Sequence, residues 1–143
     1  MVAPNGARRT KADHPNLPIT IAELVSDAIA CYQAGAQAIH AHVRDQSGHH
    51  TLELGLYREL IQEMAIAVPD MLVQLTTESA GKYSPSSQRK ILTNLEADSV
   101  SVAIREFLAD DELDSASRAY HQALEQGINV QHILYDRNDI DLL

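Results

Sequence analysis

The run AIHAHVRD at residues 38–45 carries two imidazoles, His40 and His42, inside an otherwise apolar stretch. Alternate side chains of an extended strand share a face, so both rings project to the same side. Two imidazoles on adjacent same-face positions can share one metal ion, with a third ligand arriving from another strand. A site rich in nitrogen and oxygen suits zinc first, and iron, manganese or nickel less well. The plainer alternative is a hydrogen-bonded pair of core histidines, because two ligands do not complete a site.

Position in the chain favours the chemical reading. Both histidines lie near the C-terminal end of a strand that Arg44 and Asp45 follow at once. In parallel α/β folds, ligands gather at that edge of the sheet. Other predicted strand ends are polar as well: Thr76, Thr77 and Glu78; Ser101 and Arg105; His132 and Asp136. Each alone is as well explained by helix capping or a rim, but with the two histidines they outline a pocket. Arg8 and Arg9 in NGARR could bind a carboxylate or phosphate, or form only a solvated basic loop. His49 and His50 follow a Ser-Gly turn and are expected in solvent, as are His14 and His121. Cys31 is expected to pack on a helix face, since no sequence neighbour would activate it. Glycine-rich phosphate loops and the Gly-x-Ser-x-Gly elbow are both missing from the sequence.

The elements that must position these residues alternate regularly. MVA is a short extended stub, followed by a long polar loop. Thr20 and Glu23 form a capping box for a first helix, whose apolar face is Ile21, Leu24, Val25, Ala28, Ile29 and Tyr32, with Gly35 past its end. AQAIHAHV follows as a buried strand. A second helix at about 54–67 presents Leu56, Leu60, Ile61 and Met64. DMLVQLTT is a strand, Ser84 and Pro85 start a helix, and DSVSVAI is a strand. The stretch ending at Gly127 is a helix with acids in its first turn. INVQHILYD is a fifth strand, and RNDIDLL begins another helix. Strands recur about every 30 residues with helices between, the rhythm of βαβ units and a parallel sheet. One domain over residues 1–143 is expected, with a stub of a strand and an unfinished helix at its two ends.

Composition narrows the function classes. Hydrophobic residues make up 45% and charged residues 22%, an ordinary soluble composition. Twenty Asp and Glu against 11 Lys and Arg give a formal net charge of −9, which disfavours a nucleic-acid partner. A single cysteine suggests a reducing compartment, and no apolar run approaches the roughly 18 residues of a membrane span. A cytoplasmic location is expected.

Five segments, PNGARRTKADHPNLPIT, AGAQAIHAHVRD, GHHTLELGLYRELI, VPDMLVQLTTESAG and ADSVSVAIREF, together resemble the β-keto acid cleavage enzymes, typified by 3-keto-5-aminohexanoate cleavage enzyme. The resemblance implies a (β/α)8 TIM barrel, of which this chain covers about strands 1–5. It implies one divalent metal, usually Zn2+, polarising a keto-acid carbonyl. The implied reaction takes a β-keto acid and acetyl-CoA to acetoacetate and a new acyl-CoA. On this pattern His40 and His42 are metal ligands, while Thr76 and Ser101 are substrate-contacting hydroxyls. The resemblance places a third ligand, a glutamate, on a late strand beyond Leu143, together with a substrate-binding arginine and an aspartate used in the mechanism. Weak or no activity is therefore expected of the 143 residues alone. Arg8 stands where the family has an acidic residue, Glu78 and Ser79 replace a Gly-Gly pair, and AIREF replaces a glycine-rich segment. These changes fall in the expected substrate pocket, so Arg8 and Glu78 join the candidate substrate-binding residues. A homo-oligomer is expected, with no membrane partner. Two alternatives remain open to strand order and assembly: a flavodoxin-like binding module, and a non-catalytic half-barrel stable only as a dimer.

Overall fold

Helix formation begins where the capping chemistry predicts it. In a computed structural model describing residues 1–143, α1 spans Ile21–Gln33 and opens on a complete capping box. The Glu23 amide donates to Thr20 Oγ1 at 3.2 Å, and the Glu23 carboxylate accepts from the Thr20 amide at 3.0 Å. This satisfies amides that the first turn leaves without helical partners. Leu24 and Ala28 are fully buried, but Tyr32, expected on the apolar face, is 37% exposed. Gly35 ends the turn after α1 at φ 101°, a conformation costly for any residue with a Cβ.

Four parallel strands follow in chain order: β1 (Ala38–Ala41), β2 (Leu72–Thr76), β3 (Ser99–Ala103) and β4 (Asn129–Ile133). Their spatial order is also β1-β2-β3-β4. The MVA stub contributes a single bridging residue on the outer side of β1. The Val2 amide donates to the Ala38 carbonyl at 2.9 Å, and the His40 amide to the Val2 carbonyl at 2.8 Å. Extended segments therefore run 1-2-3-4-5, as in a barrel wall; a flavodoxin-like module would place its second strand outermost. The chain is a partial TIM-barrel α/β fold.

Helices α2 (Leu54–Ala67), α3 (Pro85–Asn94) and α5 (Leu113–Glu125) connect the strands, and α6 (Arg137–Ile140) follows β4. Ser84 caps α3 with Pro85 in its first turn, as its sequence predicts. An additional short helix, α4 (Ile104–Phe107), continues directly from β3 and was not anticipated. No helix is long and apolar enough to cross a membrane.

Strand alternation sorts the sheet into two unlike faces. Ile39, Ala41, Val73, Leu75, Val100 and Val102 turn toward the helices and join Leu24, Tyr57, Leu60, Ile91 and Phe107 in one core. Each fully buried aliphatic side chain there contributes about 1.5–3 kcal/mol. The other face corresponds to a barrel interior. It carries His40, Gln74, Ser99, Ser101 and Gln131, and it leaves Leu72 55% exposed.

Candidate functional site

Pairing in register brings the inward polar residues level with one another: His40 faces Gln74, and Thr76 faces Ser101. His40 and His42 converge so that their Nε2 atoms stand 3.0 Å apart, with ring centroids separated by 5.0 Å. His42 is 4% exposed. Asn5 of the first loop holds its backbone from both sides, accepting from the His42 amide at 3.2 Å and donating to its carbonyl at 2.9 Å. Burial pushes the His42 imidazole down to about 3, with charges on His40, His50 and Arg44 adding to the effect. His42 is therefore neutral near pH 7, and its 3.9 Å approach to Glu78 Oε2 is not an ion pair.

The neighbouring groups define the rim. Thr76 Oγ1 accepts from the Glu78 amide at 3.0 Å, which leaves its own proton free to donate. The Thr76 carbonyl accepts from the buried Tyr57 hydroxyl at 3.1 Å, tying the strand end to α2. Ser101 Oγ is buried with no partner. Two hydroxyl donors on adjacent strands thus face the interior beside the imidazoles. Glu78 extends from the loop after β2, with Oε1 3.6 Å from Arg8 Nη2. The Arg8 side chain is 80% exposed and that of Glu78 27%, so the pair sits at the mouth with its charges solvent-screened.

Two histidine expectations need correction. His49 is exposed, but His50 is buried at 5% exposure, not solvated. Its Nε2 lies 2.9 Å from the Glu78 carbonyl, which only accepts, so this nitrogen carries the proton. The other nitrogen, Nδ1, is buried without a partner, and burial lowers the imidazole's pKa. His50 packs 5.2 Å from His42, ring to ring. His132 does not enter the pocket: its Nε2 meets the Tyr120 hydroxyl of α5 at 3.1 Å, on the helix-facing side. Val130 shares that face by alternation, a signal already present in the sequence.

The remaining polar strand ends serve structure. Arg105 binds Asp139 at 2.7 Å and Asp136 at 2.5 Å, joining the end of β3 to α6. Arg44 is buried and donates to the carbonyls of Gly48, Gly6 and Arg9. His14 and His121 are exposed and Cys31 is half-buried, as their contexts predict.

The geometry permits a direct test of whether a metal ion fits. Two nitrogens on a tetrahedral ion, each about 2.0–2.1 Å from it, stand roughly 3.3 Å apart. The 3.0 Å separation of the two Nε2 atoms is close to that bite. The unpartnered His42 Nδ1 also lets that ring carry its proton away from Nε2. The pair fits as two ligands. No group of three or more His, Cys, Asp or Glu side chains comes together within the chain.

Comparison with known proteins assigns the family. The family model described as "beta-keto acid cleavage enzyme" matches residues 1–143. The chain belongs to the beta-keto acid cleavage enzyme family. It is 37% identical over 75 residues to the 3-keto-5-aminohexanoate cleavage enzyme of Acetoanaerobium sticklandii, covering 52% of this chain and 28% of that one. It is 28% identical over 102 residues to the 3-oxoadipate:acetyl-CoA acetyltransferase of Cupriavidus necator, covering 71% of this chain and 35% of the relative. It is also 36% identical over 76 residues to the 3,5-dioxohexanoate:acetyl-CoA acetone transferase of Paraburkholderia graminis, covering 52% of this chain and 24% of that enzyme. The matches thus span about a third or less of these relatives. Among solved structures, a ternary complex of ObcA with a C4-CoA adduct and oxalate superposes with a TM-score of 0.57 at 17% identity. It covers 81% of this chain and 37% of the other, and this likeness concerns the fold.

Proposed function

We propose that the chain carries the metal-binding, N-terminal part of an acyl-transferring C–C cleavage site. The substrates would be a β-keto acid and acetyl-CoA, and the products acetoacetate and the acyl-CoA of the remaining part. The observation that carries the reading is the convergence of His40 and His42 at the C-terminal edge of β1 in a member of this family. The relatives' names, which specify acetyl-CoA and keto acids, support the substrate classes.

His40 and His42 would hold a divalent cation, zinc first, which when bound polarises the keto acid's carbonyl as a Lewis acid. A third ligand comes from outside these residues. Thr76 and Ser101 each keep a hydroxyl proton free for an anionic substrate group. A carboxylate accepting both would be fixed beside the imidazoles, which is the positioning that such a reaction needs. Arg8 and Glu78 place one charge of each sign at the mouth. They would choose among keto acids by the charge at the far end of the substrate. A cytoplasmic, homo-oligomeric protein belongs to the same reading.

Zinc titration of the full-length gene product by calorimetry tests the centre of this reading. Binding that is lost in His40→Ala and His42→Ala is expected; no binding with both histidines intact overturns it. Turnover of acetyl-CoA with a panel of β-keto acids tests the reaction.

A further inference from the structure

The inner face of the sheet holds a line of hydrogen bonds whose direction is fixed from one end. Ser99 Oγ donates its one proton to the Asn129 carbonyl at 2.8 Å, a group that only accepts. With that proton committed, Ser99 Oγ must accept from Gln74, whose Nε2 lies 3.0 Å away. The same Gln74 nitrogen donates to Gln131 Oε1 at 2.7 Å. Both amide protons are thereby used on β3 and β4, and Gln74 Oε1 is turned toward β1. It meets His40 Nδ1 at 2.8 Å. An amide oxygen cannot donate, so His40 Nδ1 must carry the proton. In neutral His40 this leaves Nε2 as a bare lone pair aimed at His42 Nε2.

The geometry points to Gln74 as a positioning residue that presets His40 in its Nδ1–H tautomer, with Ser99 and Gln131 fixing the orientation of the Gln74 amide. The order is set by a main-chain carbonyl of β4 and passes across the whole sheet to the imidazole on β1. Without it, His40 would be free to place its proton on Nε2, the atom that must be bare for ligation. Groups that lock the far nitrogen of a ligating histidine commonly contribute about 10–100-fold to metal affinity. The relay also divides labour between the two rings. His40 is preset, whereas His42, with Nδ1 unpartnered and Glu78 Oε2 3.9 Å away, is the ring whose proton can move. In the metal-free protein His42 Nε2–H donates to His40; a cation between the rings requires that proton to leave Nε2.

The inference takes its functional meaning from the reading of His40 and His42 as metal ligands, but its first test needs no metal. Long-range proton–nitrogen correlation on the 15N-histidine-labelled, metal-free chain reads the tautomer of each ring, with His40 assigned from its own substitution. His40 is expected as Nδ1–H in the native chain and in Gln74→Glu, which keeps an acceptor oxygen at the same place. Gln74→Leu is expected to give a mixture of tautomers, and Ser99→Ala a partial shift toward one. An Nε2–H tautomer in the native protein overturns the inference, as does a tautomer unchanged in both Gln74→Leu and Ser99→Ala. Should Gln74→Leu not fold, Ser99→Ala alone decides between these outcomes. A zinc titration then separates the two claims. Weaker zinc binding by about 10-fold or more in Gln74→Leu, with recovery in Gln74→Glu, supports the relay. Absence of zinc binding in the native full-length protein defeats the ligand reading while leaving the tautomer result standing.

Discussion

The two faces of this sheet are built from the same strands and do opposite work. The helix-facing side is apolar and closed: Ile39, Leu75, Val100 and Val102 are completely buried. The interior side is polar and hydrogen-bonded from β1 to β4 through His40, Gln74, Ser99 and Gln131. It also leaves His42 Nδ1 and Ser101 Oγ buried without partners. A buried polar atom with no partner costs about 1–3 kcal/mol. Stability therefore resides on one face, and the other gives some of it up by burying polar atoms without partners.

Substitutions on each face should break or sharpen that contrast. Leu75→Ala empties a fully buried site on the helix side. It should lower unfolding free energy by about 2–5 kcal/mol in urea titrations, with zinc affinity changed little if the chain still folds. Tyr57→Phe removes a single buried hydrogen bond to the Thr76 carbonyl. A loss of about 1 kcal/mol is expected from the same measurement, along with a disturbance near Thr76 visible in amide spectra. His42→Leu should reverse the pattern. Leucine of similar volume removes the unpartnered Nδ1 but also the Nε2–H bond to His40, so a net change within about 1 kcal/mol of zero is expected. The same change should abolish zinc binding. A destabilisation as large as that of Leu75→Ala would show that the interior face also holds the fold together.

The smallest effect should come from the surface. The Lys11 ammonium, with the Thr20 and Ile19 amides, holds the Glu23 carboxyl at about 2, below the ordinary 4.5. A depressed acid favours the folded state above the unfolded value, and that contribution disappears as pH falls from near 4.5 through about 2. Solvent screening keeps it below about 1 kcal/mol. Glu23→Gln should flatten this acid limb in thermal melts without altering zinc binding.

Local chemistry was legible where it is written within a few residues. The Thr20–Glu23 box, the Ser84–Pro85 start and the strand rhythm all rest on short-range rules, and each element formed. The same-face placement of His40 and His42 followed from alternation alone. Burial of His50 was hidden because it depends on the Glu78 carbonyl, 28 residues away in sequence. Gln74 and Gln131 looked like ordinary strand residues, since their role exists only once register places them beside His40 and Ser99. His132 was open to a better reading. In NVQHI the apolar Val130 marks the helix-facing parity, and His132 shares it. Short helix α4 escaped notice because a strand runs into it without a cap: Ala103 makes no side-chain capping bond.

Arg44 gives the first loop a particular temperament. One buried guanidinium gathers the carbonyls of Gly6, Arg9 and Gly48, and Asn5 adds bonds to Pro18 and His42 nearby. The segment bearing Arg8 is thus riveted at both shoulders rather than hung as a flap. Change of shape at the mouth would depend on rotation of the Arg8 and Glu78 side chains. The backbone around them would keep its shape, much as a door frame does.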